Sequence, residues 1–133
     1  MNIALLVAGI LSFVAAAIHG IAGEVLLVRR LDVGTLPSTP FGGPAGSKLL
    51  IRVSWHLVTT TFVVLGAALV AGAFDDAHDA CRRTAVVVAS AFSAFAAITI
   101  AAGVRTQGPA GMLRHPAPAL LTAIAVLAWW GAL

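Results

Sequence analysis

Four long apolar stretches, at about 3–28, 49–73, 84–104 and 116–133, take up most of this 133-residue chain. Each is close to the length of about 20 residues that a helix needs to cross a hydrocarbon layer roughly 30 Å thick. A segment immersed in lipid must satisfy its backbone amides internally, so each stretch is expected to be a helix. With 60% hydrophobic residues and only eight Lys/Arg and five Asp/Glu, the chain has too little polar surface for a water-soluble domain of this size. The predicted fold is all-α: an integral membrane four-helix antiparallel bundle with four transmembrane spans, forming one domain over 1–133. The first stretch reads as a span rather than a secretory signal, because no basic residue precedes it and its apolar run is too long.

Charge sets the expected orientation. Arg29, Arg30, Lys48, Arg52, Arg105 and Arg114 flank the first and third connections, against Arg82 and Arg83 beside the acidic second one with Asp75, Asp76 and Asp79. Basic residues concentrate on the cytoplasmic side of membrane proteins, so connections one and three are expected there and both termini outward. The expected location is a bacterial-type plasma membrane, with the lipid bilayer as first partner. A net charge of +3 without any basic run interleaved with aromatics argues against nucleic acid. Cys81 is the single cysteine, which excludes an intrachain disulfide.

The first connection, 31–48, is rich in Gly and Pro (Gly34, Pro37, Pro40, Gly42, Gly43, Pro44, Gly46) and is expected as a loop. Its functional reading is a lid over the cytoplasmic mouth of the bundle. Small residues fill the spans: Ala15, Ala16, Ala17, Gly20 and Gly23 in the first, and Ala91, Ala94, Ala96 and Ala97 in the third. They permit close helix approach in lipid, and the third span is the expected face for a homo-oligomer. Gly20 and Gly23 have two readings, room for a cofactor or plain close packing.

Ionisable side chains within a span cost roughly 2.5 to 3.5 kcal/mol each on insertion scales, so they call for a partner or a task. Counted from the basic anchors at about 1.5 Å per residue, His19 lies about 15 Å inward, His56 about 12 Å and Glu24 about 7 to 8 Å, with His115 at the start of the fourth span. His19 and Glu24 are five apart, roughly 140° around an ideal helix, so each is expected to face a different neighbour. His56 shares a polar strip with Arg52, Thr59 and Thr60 that is expected to point inward.

Three imidazoles and a carboxylate suit a transition metal ion such as Zn, Cu or Fe, which makes His19, Glu24, His56 and His115 the predicted metal ligands. No H-E-x-x-H, C-x-x-C or Glu-x-x-His spacing fixes that geometry. In a second reading His19 and His56 are the axial ligands of haem b, with Arg52 or Arg30 on the propionates, or serve a quinone-reactive electron carrier. In a third the chain is a non-catalytic accessory or scaffold protein of a larger membrane complex, its polar residues making helix contacts such as Glu24 with Arg52. No nucleophile motif or phosphate-cradling glycine loop is present, so no catalytic residue is assigned and enzyme activity stays open.

Overall fold

A computed structural model describes residues 1–75, 78–112 and 115–133, apart from the side chains of 78, 111 and 112. Asp76 and Arg114, used in the charge argument, lie outside the described residues, as does the side chain of His78. All regular structure among the described residues is helical.

Helix α1 (Ile3–Ala17) starts at Asn2, whose side-chain oxygen accepts from the Leu5 amide at 3.2 Å. It continues into a π-helical turn (Ile18–Ala22), a short α2 (Gly23–Leu26) and a 3-10 turn (Val28–Arg30). Together, residues Ile3–Arg30 form an apolar rod long enough to cross a membrane. The rod ends where Leu27 leaves helical geometry and Leu31 is extended.

Helix α3 (Gly43–Phe74) begins six residues before the apolar count placed it, so the true connection is 31–42. Gly42, at φ +107°, makes the turn into it, and Pro44 sits in the first turn, where a missing N–H costs nothing. Ser47 and Lys48 therefore belong to the helix. Both tie the connection down: Ser47 Oγ donates to the Pro37 carbonyl at 2.6 Å, and Lys48 Nζ to the Leu31 carbonyl at 2.7 Å.

Helix α4 (His78–Met112) is longer at both ends than the predicted 84–104, because polar residues such as Arg82, Arg83, Thr106 and Gln107 extend a helix as readily as apolar ones. Gly108, at φ +70° and followed by Pro109, breaks it near its end. Helix α5 (Pro116–Ala132) covers nearly all of the predicted 116–133 and is much shorter than α3 and α4. Three helices thus have membrane-crossing length and apolarity, and α5 is a shorter apolar helix.

Helix α1 packs against α3 and α5, and α4 against α5 and α3, which closes the four into a ring. The Asn2 amide donates to the Ala73 carbonyl and its Nδ2 to the Gly131 carbonyl, both at 2.8 Å, so the start of α1 meets the ends of α3 and α5. Neighbours therefore run antiparallel. The end where the chain termini meet is called the terminal end below, and the opposite one the arginine end. The core comprises Leu5, Ala8, Leu69, Val88, Phe92, Ile124 and Ala128, with Phe92 wholly buried. Large apolar side chains such as Ile10, Ile21, Leu57, Val64, Val87 and Val126 point away from it on every main helix.

Candidate functional site

The arginine end holds two polar assemblies, both between the first rod and α3. The first surrounds Glu24, which is 5% exposed. Its Oε1 accepts a hydrogen bond from Arg29 Nε at 3.3 Å and is ion-paired with Arg52 Nη2 at 2.8 Å. Arg29 reaches back five residues because the 3-10 turn tightens the chain there. Oε2 lies 3.4 Å from His56 Nε2, an ion-pair separation without hydrogen-bond geometry, so this buried oxygen has no hydrogen-bond partner. The two arginine side chains are 54% and 65% exposed, so solvent screens them, while the carboxylate is the group that needs them.

The second assembly surrounds His19, in the π turn. Its ring stacks on Trp55 at 4.2 Å and 10°, and meets the Phe62 ring edge-on at 5.7 Å. His19 Nδ1 is 3.0 Å from Thr59 Oγ1, and Trp55 Nε1 donates to the His19 carbonyl at 2.8 Å. The π turn breaks the regular i to i−4 ladder, and indole and hydroxyl from α3 fasten the ring and backbone at that point.

These contacts correct two expectations and decide between two readings of a glycine pair. His19 and Glu24 face the same neighbour, α3, because the π turn between them takes up an extra residue and the 100° count no longer holds. The polar strip of α3 divides: Thr59 joins His19 inside, whereas His56 is 47% exposed and Thr60 is exposed with its hydroxyl bonded back to the His56 carbonyl. Gly20 and Gly23 serve close packing. A Cβ on Gly20 would lie 2.6 Å from Thr59 Cγ2, and one on Gly23 would enter the Trp55 ring. The space that those glycines leave is already filled.

Of the four predicted metal ligands, the structure brings Glu24 and His56 together. His19 turns to Thr59, and His115 stands at the start of α5, where its Nδ1 accepts from the Ala117 amide at 3.2 Å. Among the described residues, no three of His, Cys, Asp and Glu gather as a metal would require. The haem arrangement meets similar geometry: His56 Nε2 faces Glu24, and Arg52, expected on a propionate, holds Glu24 instead.

Beside His19 opens a cavity of about 410 Å³, bordered by all four main helices and almost wholly apolar. His19, Trp55, Phe62, Phe95, Thr99 and His115 line it, with aliphatic side chains completing the wall. No residue of 31–42 borders it, so the first connection lies against the base of α3 rather than over the cavity as a lid. Sequence reasoning placed Thr59 on an inward strip but missed its contact with His19, and it missed Trp55, Phe95 and Thr99 as site residues. The signal available for Trp55 and Thr59 was their i, i+4 spacing on α3 beside a glycine pair on the facing helix. Comparison with family models, curated proteins and solved structures finds no match for the chain.

Proposed function

We propose that the chain is an integral membrane protein whose four helices all cross the bilayer, with the arginine end cytoplasmic, and which takes an amphipathic ring compound of the quinone class from the lipid into the cavity. The observation that carries this reading is the apolar cavity with one stacked imidazole in its wall. Small-molecule sites are concave and mostly apolar, with few polar groups to orient the ligand. His19 fits that role, since Trp55, Thr59 and Phe62 fix its ring and its Nε2 has no protein partner among the described residues.

The membrane placement has its own support. Large apolar side chains cover the outside of every main helix, where water would oppose them. Helix α5, at 17 residues, spans about 25 Å, and Trp129 and Trp130 close it as interface anchors. Arg29, Arg30, Lys48, Arg52 and Arg105 collect at the arginine end, as the positive-inside rule expects of a cytoplasmic face.

The test uses Trp55 as reporter, in a background where Trp129 and Trp130 are Phe. Titrating the protein in lipid nanodiscs with a short-tailed benzoquinone is expected to quench Trp55 saturably. His19→Ala is expected to weaken binding roughly tenfold, the equivalent of a hydrogen bond worth about 1.4 kcal/mol. Quenching that rises linearly without saturation, or identical curves for the two proteins, defeats the proposal.

A further inference from the structure

The walls of the cavity contain several polar hydrogens, and most are already committed. Trp55 Nε1–H is donated to the His19 carbonyl, and the Thr99 hydroxyl to the Phe95 and Ala96 carbonyls, each at 3.0 Å. Pro116 has no N–H. The imidazoles of His19 and His115 are the remaining side-chain donors on this wall among the described residues.

Their protonation pattern follows from their partners. His115 is the N-cap of α5, extended at φ −93° and ψ 125°, and its Nδ1 accepts from the Ala117 amide. A backbone amide is only ever a donor, so Nδ1 carries no hydrogen and the neutral ring holds its proton on Nε2. Thr59 Oγ1 lies nearer His19 Nδ1, at 3.0 Å, than the Trp55 carbonyl, at 3.3 Å. The hydroxyl has one hydrogen: on the Trp55 carbonyl it leaves Nδ1–H as the donor to Oγ1, and turned to Nδ1 it leaves the ring proton on Nε2, the form that a ligand carbonyl selects.

We infer that His115 is a second ligand-binding residue, and that the cavity recognises a ring bearing two carbonyl oxygens, one received by His19 Nε2–H and the other by His115 Nε2–H. This rests on the quinone-class reading above and deepens it. His19 comes from the first rod and His115 from the start of α5, so two oxygens on one ring would bridge separate walls of a space that otherwise offers only hydrocarbon and aromatic faces. A ligand with a single oxygen leaves one of the two donors unanswered in an apolar surrounding, and such a loss is what makes polar recognition selective.

The experiment compares two probes of matched tail length: a benzoquinone with two ring carbonyls and a cyclohexenone with one. The key variant is His115→Asn, because Asn is among the best N-cap residues and retains the start of α5 while removing the Nε2–H donor. His115→Asn is expected to weaken the dicarbonyl probe roughly tenfold and leave the monocarbonyl probe within about twofold. In protein labelled with nitrogen-15 at histidine, the dicarbonyl probe is expected to shift the Nε2 resonance of His115 as well as that of His19. Equal losses for both probes in His115→Asn, no loss for either, or a His115 resonance that does not respond would overturn the inference while leaving the cavity reading intact. If neither probe binds the wild-type protein, both fall together.

Discussion

At the terminal end, α1 and α3 approach through Gly9, Ser12 and Gly66. A Cβ on Gly9 would lie 2.9 Å from the Gly66 carbonyl oxygen and 2.6 Å from Val70 Cγ2, and Ser12 Oγ donates to the Phe62 carbonyl at 2.7 Å. At the arginine end the same two elements meet through Gly20 and Gly23, but what fills the glycine space is Thr59 and the Trp55 ring. Small residues face each other across the first contact; in the second, small residues receive large polar ones. The difference shows how one pair of elements can be sealed at one end and lined with functional groups at the other. Under the membrane reading proposed above, apolar burial between helices drives little, and close contact and hydrogen bonds supply the association.

If the terminal end is sealed by contact alone, filling it should damage stability before function. Gly9→Ala places its methyl group against the Gly66 backbone, which cannot swing aside, so a loss of about 1 to 3 kcal/mol is expected from overpacking. Unfolding by denaturing detergent in mixed micelles measures it. The fraction that remains folded should bind the benzoquinone probe with unchanged affinity; a weakened probe with intact stability would erase the distinction between the two ends.

The arginine end should show coupling where the terminal end shows packing. Glu24 is buried between two half-exposed arginines, so a cycle of Glu24→Gln, Arg52→Gln and the double variant is expected to give a coupling energy of about 1 kcal/mol, within the range for residues in contact. Arg52→Gln should be the worse single change, because it leaves a buried carboxylate with Arg29 and His56 only, whereas Glu24→Gln frees two side chains that already reach solvent. Additive single changes would mean that the ion pair holds nothing, and that Glu24 is kept for another reason.

Much of this architecture was legible from composition, and the reasons for what was not are local. Four apolar stretches become four helices because a helix satisfies the interior amides of a long apolar run within the run itself. The start of α3 was misplaced because an apolar count ignores Pro44, which favours a first turn, and Ser47, which is held by the loop it leaves. His19 and Glu24 were singled out as ionisable groups within the first apolar stretch, where Glu24 is buried and His19 half-buried, and Glu24 with Arg52 was named as a possible helix contact. Their common orientation was hidden because a π turn inserts one residue with no compositional mark. The metal grouping rested on equal depth along the helix axes, which says nothing of rotation. His115 has the right depth, yet it lies on α5 with its Nδ1 engaged by backbone.

The smallest expected effect separates the two ends most cleanly. Ser12 and Thr59 each place a hydroxyl between the first rod and α3, Ser12 on a backbone carbonyl and Thr59 on the His19 ring. Interhelical hydrogen bonds within membranes average about 0.6 kcal/mol, so Ser12→Ala and Thr59→Val should lower stability by similar small amounts. Valine retains the methyl group that rests over Gly20, so packing there is preserved. Their effects on ligand should diverge. Without the Thr59 hydroxyl, the ring loses the partner that fixes its orientation and that can donate to Nδ1 when a ligand takes the proton on Nε2, and benzoquinone affinity is expected to fall about threefold, or roughly 0.6 kcal/mol. Ser12→Ala should leave that affinity unchanged. Equal probe affinities in the two variants would show that Thr59 is a packing residue like Ser12, and that the orientation of His19 owes nothing to its hydrogen bond.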